Sequence, residues 1–327
     1  MPNVGKKLHH YVPRFYLQAW AQKKLIYCLQ ENAIFRPNLQ GVAAQNYFYR
    51  LDEISPEDAE FVRREVIANS PDGLREGHER LLRLMLLPYE AKRHLEELRI
   101  TKQVAEDDEF RDNAAYIERT IREMNENMHT AIENDFRKHL EALRAGDLSF
   151  LKDDNEAATF YRSLSVQYAR TNHIKQSERG MSPQNYALYR RIAHPLVHIV
   201  AVNVGLSLYA ERHHYQFILI DNQSKVPFVT ADQPLINLAA NPTNDDPPAN
   251  FDVYYPLSPT KALLILEPSS PNMPLNTTVD ARYAEIMNLR IAAHAYRQVF
   301  AKSQHQLETV REDLPAFLTC FRQNTGS

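Results

Sequence analysis

The chain has 327 residues, 44% of them hydrophobic, and sets 38 basic against 41 acidic side chains for a formal charge of -3. That composition sustains a sizeable core, excludes a disordered chain, and gives no global attraction to nucleic acid or to an anionic membrane, so any nucleic-acid contact has to be a local patch. Eight glycines without a G-x-G-x-x-G or G-x-x-x-x-G-K run argue against a glycine-rich nucleotide loop, and the two cysteines, Cys28 and Cys320, are too few for a disulfide framework or a zinc set.

The start, Met1 to Leu8, is polar and basic with no apolar h-region, and the most apolar run, Ile199 to Tyr209, is short and interrupted by Asn203. Neither secretion nor membrane spanning is expected, and a reducing cytoplasm suits the cysteine usage. The stretch His10 to Trp20, HYVPRFYLQAW, follows. Pro13 fits N1 of a short helix reaching about Trp20, and it pushes Val12 to extended geometry. His10 then lies just outside a helix N-terminus carrying about half a positive charge, with Arg14 in the first turn, an arrangement suited to an anion. The alternative is that His10 simply pins the terminus through a backbone carbonyl.

Lys24 to Leu29 and Ala33 to Arg36 read as a hairpin across Gln30-Glu31-Asn32, and Asn46 to Arg50 as a third strand. Ser55-Pro56-Glu57-Asp58 starts a helix to about Ala68. Pro71 and Gly73 break it, a second helix runs to about Leu87, and Pro88 separates a third, from Tyr89 to about Val104. Asp108 to Ala145 carries a stripe of Ala114, Ile117, Ile121, Met124, Met128, Ile132, Phe136 and Leu140 and ends at Gly146, a fitting C′ residue.

Asp153 to Glu156 caps the next helix, predicted to about Glu178, with Arg162, Gln167, Arg170 and His173 as a polar set. Arg162 and Arg170 return to within about 80° of each other after about 800° of helical rotation, which suggests a lined cavity; surface ion pairing is the competing reading. Ser182-Pro183 opens a helix toward His213 that Pro195 should kink or split. His194 and His198 in it have a metal-ligand spacing, but no H-E-x-x-H surrounds them, so no metal site is expected.

Short apolar runs at 215–220, 226–229, 252–255, 262–266 and 294–301 predict about five mostly antiparallel strands, with a long proline-rich loop at 237–250. Helices follow at about 279–293, capped by Thr277 or Thr278, and about 304–314. The whole reads as a single α+β domain over 1–327, with a motif helix and small sheet (1–52), a helical region (53–214) and a β-rich part (215–327). Long helices pack with a mainly antiparallel sheet built from N- and C-terminal strands. Thr230-Ala231-Asp232-Gln233-Pro234, at the exit of an apolar strand, can present a carboxylate to a cleft or make an Asx-turn.

His10-Tyr11-Val12-Pro13 with Tyr16-Leu17, Asn46-Tyr47-Phe48-Tyr49, Gln167-x-x-Arg170-Thr171, Thr230 to Pro234 and Tyr255-Pro256-Leu257-Ser258-Pro259 together resemble the bacterial family called domain of unknown function 4238. Its hallmark is an N-terminal His-x-x-Pro, and its fourth block more usually reads Thr-Ser-Asp-Asn-Pro, from which Ala231 and Gln233 depart. The resemblance implies a common site but no assigned chemistry; some members resemble genes of anti-phage defence loci.

Two functional readings follow. In the first, the chain is a hydrolase acting on nucleic acid or nucleotide phosphate esters. His10 moves the proton, Asp232 orients it, Arg14 stabilises charge, and Arg162, Gln167 and Arg170 bind substrate through a local basic pocket. In the second, the same groups form a non-enzymatic ligand sensor or interaction module, or only lock the N-terminal helix onto the sheet. The residues name no cofactor and no metal.

Overall fold

In a computed structural model, the structure describes residues 7–101, 107–171, 174, 181–244, 248 and 250–323. His173, and the stretch of predicted helix from 175 to 178, lie outside them. The first strand, β1 (Leu8–His10), pairs with β4 (Ala44–Asn46). Between them come a short helix α1 (Arg14–Leu17) and the hairpin β2 (Tyr27–Gln30) and β3 (Ala33–Phe35). Pro13 has its expected φ of -60° but an extended ψ of 133°, so it is the N-cap and not N1, and α1 ends before Trp20.

The hairpin forms with Gln30 opposite Ala33 and both turn residues, Glu31 and Asn32, at positive φ (51° and 64°). That is the tight-turn geometry whose twist matches the strands. The expected strand at 46–50 does not form beyond Asn46, because Tyr47 takes a positive φ of 54° and turns the chain.

Helix α2 (Pro56–Phe61) is capped by Ser55, whose hydroxyl accepts from Asp58 N, and continues as a π-helical turn over Val62–Ile67. Helices α3 (Asp72–Thr101), α4 (Asp108–Ala145), α5 (Asp154–Ala169) and α6 (Pro183–Ala210) complete the helical part. Pro88 and Pro195 were expected to divide their helices, yet α3 and α6 run through them. An interior proline costs about 3 kcal/mol. Here Pro88 is buried on the line of Leu82 and Met85, and Pro195 is buried between Ile192 and Ile199, so packing offsets that cost. Helix α5 stops at Arg170, well before the predicted 178, whereas α4 ends as predicted at Gly146, with φ +84°.

The C-terminal part holds β5 (Gln216–Asn222), β6 (Thr230–Ala231), β7 (Ile236–Asn237), β8 (Val253–Ser258), β9 (Lys261–Leu266), β10 (Thr278–Val279), α7 (Ala281–Ala293), β11 (Val299–Ala301) and α8 (Gln304–Gln323). The predicted strand at 226–229 is instead β6, and that at 294–301 is only β11. Asp280 caps α7 in place of a threonine, and α8 passes through Pro315 well beyond the predicted end at 314.

One sheet has the order β10-β5-β9-β8-β7 and the other β3-β2-β11-β6. Only β10 with β5 is parallel among the registered pairs. The second sheet joins N-terminal strands to C-terminal ones, with Phe300 opposite Cys28 on one side and Thr230 on the other. The class is α+β.

Residue contacts group the chain into two units, each discontinuous in sequence. The first comprises Met1–His9, Gln45–Asn134 and Met181–Val204; the second comprises His10–Ala44, Asp135–Gly180 and Gly205–Ser327. The first is a helical unit whose buried cluster includes Ile54, Val62, Leu82, Ile192 and Ile199. The second holds both larger sheets, and its core runs from Ile220, Phe228 and Leu264 to Ile291 and Leu307. By length and composition α6 could cross a membrane, but half of its most apolar window is buried inside the protein, the pattern of a core helix.

Candidate functional site

In the second unit, the motif blocks are tied together by buried hydrogen bonds. Tyr16 donates its single phenolic proton to the Pro256 carbonyl (2.6 Å), and its ring stacks on Tyr255 at 5.1 Å. Its oxygen lies 2.7 Å from Thr230 Oγ1, which must therefore be the donor of that bond. Trp20 Nε1 donates to the Phe228 carbonyl at 2.8 Å. Arg144, near the end of α4, donates to the carbonyls of Tyr16 and Leu257, and burial lowers its pKa. Gln167 Nε2 lies 3.5 Å from the Tyr11 carbonyl, and Thr171 hydrogen-bonds the Gln233 side chain.

Asp232 is fully buried, and both its oxygens accept from main chain: Oδ1 from Tyr296 N at 2.8 Å, Oδ2 from Arg297 N at 2.8 Å and Gln298 N at 3.1 Å. Burial pushes this carboxyl up to about 6, against the three amide donors, which stabilise its charge. The Gln298 carbonyl in turn accepts from Asp232 N at 2.9 Å, and its side-chain oxygen accepts from Ala43 N at 2.8 Å.

His10 Nε2 lies 3.2 Å from the Gln40 carbonyl, so neither this bond nor those of Asp232 joins the two proposed catalytic groups. Arg14 is exposed. Arg162, 40% exposed, pairs with Asp135 at 3.3 Å, while Gln167 and Arg170 are buried. The structure thus brings together the motif segments that carry His10, Gln167 and Asp232 through side-chain hydrogen bonds, some to main-chain carbonyls, and directs Arg162 to a surface carboxylate.

The first unit contains a cluster that the sequence reading did not select. β1 alternates as strands do, and the histidine it buries is His9, whose Nδ1 accepts from Tyr49 N at 3.0 Å. The Tyr49 ring lies against His129 at 4.1 Å, and His129 stacks on His198 at 4.6 Å. Asn125, fully buried on α4, links two rings of α6: its Nδ2 donates to His194 Nδ1 (2.9 Å), and its Oδ1 accepts from His198 Nε2 (2.8 Å). A ring that accepts at Nδ1 carries its proton on Nε2. His194 Nε2 lies 4.0 Å from Asp52 Oδ2, and Asp52 is 57% exposed.

Arg50, Lys92, Asp52 and Glu53 all act electrostatically on the Tyr89 phenol, two cations and two carboxylates, and Lys92 is already paired with Glu118 at 2.5 Å. The signal for this cluster was present: Asn125 and His129 fall four apart on the buried line of α4 between Ile121 and Phe136, where apolar residues are the rule. Among the described residues, no group of three or more His, Cys, Asp or Glu could hold a metal ion.

The family described as "Protein of unknown function (DUF4238)" matches residues 8–305. No curated protein and no solved structure matches the chain.

Proposed function

The chain belongs to this family of proteins of unknown function, and we propose that it is a hydrolase of nucleic-acid or nucleotide phosphate esters whose proton chemistry lies in the first unit. The observation that carries the proposal is the Asp52–His194–Asn125 series: a half-exposed carboxylate faces an imidazole N–H whose tautomer a buried amide fixes. Asp52 takes the proton of a water whose oxygen attacks phosphorus, the ester P–O bond breaks, and the leaving oxygen is protonated from solvent. His194 is a positioning residue that holds the carboxylate, and Arg50 offsets the charge that develops on the phosphoryl oxygens.

In this reading Asp232 and its hydrogen-bonded motif partners form the scaffold, since both oxygens of Asp232 are already occupied by main chain. An anti-phage effector in the cytoplasm, where the free thiols of Cys28 and Cys320 would stay reduced, is the setting that accords with the resemblance.

The test is hydrolysis of RNA, single- and double-stranded DNA and nucleoside triphosphates, with and without divalent cations. Asp52→Asn should lower turnover by about 10²–10⁴-fold while leaving the melting temperature in place. The second reading, a ligand sensor without chemistry, draws on the same engagement of Asp232. Saturable nucleotide binding by a chain that hydrolyses none of the panel would favour it.

A further inference from the structure

In the second unit, the segment from His10 to Ala44 carries Arg14, Lys23, Lys24 and Arg36 against a single acid, Glu31, in a chain whose acids outnumber its bases. Three of these cations meet at one place. Gln22 and Leu25 exchange both main-chain hydrogen bonds (2.8 and 2.9 Å), which closes a two-residue turn on Lys23 and Lys24. Arg36, just beyond β3, donates from Nη2 to Gln22 Oε1 at 3.2 Å, and its guanidinium carbon stands 4.9 Å from the centre of the Tyr27 ring. Leu25 lies opposite Asn38 and Cys28 opposite Phe35, so Tyr27 and Arg36 fall opposite each other and share a face with Leu25. Leu25 is 36% exposed, and Lys23, Lys24 and Arg36 are exposed as well.

Two features set this place apart from an ordinary solvated turn. Lys23 and Lys24 have φ of 50° and 67°, in the left-handed region, where a two-residue turn is best built from Asn and Gly. Both lysines therefore stand where uncharged residues would fold better, and strain of this kind concentrates at functional sites. The second feature is the lack of counter-charge. Lys92, Arg93 and Lys138 are tied to carboxylates, whereas Lys23, Lys24 and Arg36 form no ion pair among the described residues. Glu31 occupies the far turn of the hairpin, about 20 Å of strand from Lys24 and beyond the screening distance of about 8 Å.

The chemistry specifies an anion with flat apolar parts. The lysines supply point charges for phosphates. Arg36, held over Tyr27 and by Gln22, offers a planar cation on which a base can stack, with Leu25 beside it. An anionic lipid surface needs only charge and apolar area, so the tethered plane favours bases.

We propose that Lys23, Lys24 and Arg36, with Tyr27 and Leu25, form a docking surface for single-stranded nucleic acid. The lysines neutralise phosphates, and a base stacks on the Arg36 guanidinium. The surface rests on the nucleic-acid reading of the Asp52 site and names its substrate class, but binding here uses none of the groups around Asp52.

The experiment is fluorescence anisotropy of the full chain with labelled oligothymidine and oligouridine strands over a salt series, with phosphatidylserine vesicles as the contrasting probe. A strand should bind saturably, and the tighter of the two identifies a DNA or an RNA source. Lys23→Asn with Lys24→Gly gives the turn its preferred residues, so the melting temperature should hold or rise while affinity falls by about tenfold or more. The plot of log K against log salt should lose about 1.4 of its slope, about 0.7 for each phosphate contact removed. Arg36→Lys keeps the charge but removes the plane, and should weaken binding with the slope unchanged. Lys152→Gln with Lys302→Gln removes two exposed charges elsewhere and should leave affinity at the wild-type value. No saturable strand binding, wild-type affinity in the Lys23/Lys24 variant, an equal loss in the Lys152/Lys302 variant, or capture by the vesicles alone would overturn the surface. Strand binding that depends on Lys23 and Lys24 in a chain without hydrolysis would sink the hydrolase reading and leave the surface standing.

Discussion

Tyr16 and Thr230, separated by 214 positions, share a buried hydrogen bond of 2.7 Å in which the threonine is the donor. Tyr16→Phe keeps the stack on Tyr255 but leaves the Pro256 carbonyl and the Thr230 hydroxyl without this partner. Each buried group so orphaned costs about 1–3 kcal/mol. Urea unfolding should show a loss of that order; a loss under about 0.5 kcal/mol, typical of a surface change, would mean the bond does not hold the motif.

Asp232 gives the fold a pH signature. Its carboxyl sits at about 6 in the folded chain against 3.8 as its ordinary value. A raised folded value means that the group's stabilisation is fully present below about 3.8 and is lost as pH rises through about 6. The difference corresponds to roughly 3 kcal/mol. The stability of the wild type relative to Asp232→Asn should therefore decline across that window. Parallel pH profiles for the two chains would contradict the assignment.

Asn125 turns its Nδ2 donor to His194 and its Oδ1 acceptor to His198, so the group facing His194 can only donate. Asn125→Asp removes the donor, so His194 Nδ1 must itself supply a proton to the new carboxylate. Nitrogen NMR of labelled histidine should show Nδ1 of His194 changing from unprotonated to protonated, while His198 Nε2 keeps its proton. Unchanged His194 signals would show that the amide does not set the tautomer.

Gly205 of α6 faces the backbone of α5. A Cβ there would stand 2.9 Å from Arg162 Cα and 3.0 Å from the Tyr161 carbonyl oxygen. Alanine favours a helix over glycine by about 1 kcal/mol, but overpacking against backbone costs about 1–3 kcal/mol. Gly205→Ala should lower the melting temperature. A rise would show that the two helices can separate without loss.

The elements were legible where local chemistry decides them. The Glu31-Asn32 turn, the Ser55 cap, the Gly146 stop and the apolar periodicity of α4 each depend on residues within a turn or two of one another. The prolines misled because Pro88 and Pro195 are buried, and burial against distant residues outweighs a local preference. Strand ends were misplaced for a related reason: β6 and β11 are bounded by the partners they find, Thr230 against Phe300 and Phe300 against Cys28.

The sequence by itself marked the His-x-x-Pro, Gln-x-x-Arg-Thr and Thr-Ala-Asp-Gln-Pro blocks, which lock together in the second unit, but not the Asp52–His194–Asn125 series of the first. The roles within them were decided only by tertiary structure. Whether a carboxylate moves a proton or holds a loop depends on what occupies its lone pairs, and the three amides that occupy those of Asp232 lie more than sixty residues away. The same holds for His194 and His198. Their spacing is visible in the chain, but the Asn125 amide that makes them one unit belongs to another helix, brought there by packing that no local pattern encodes.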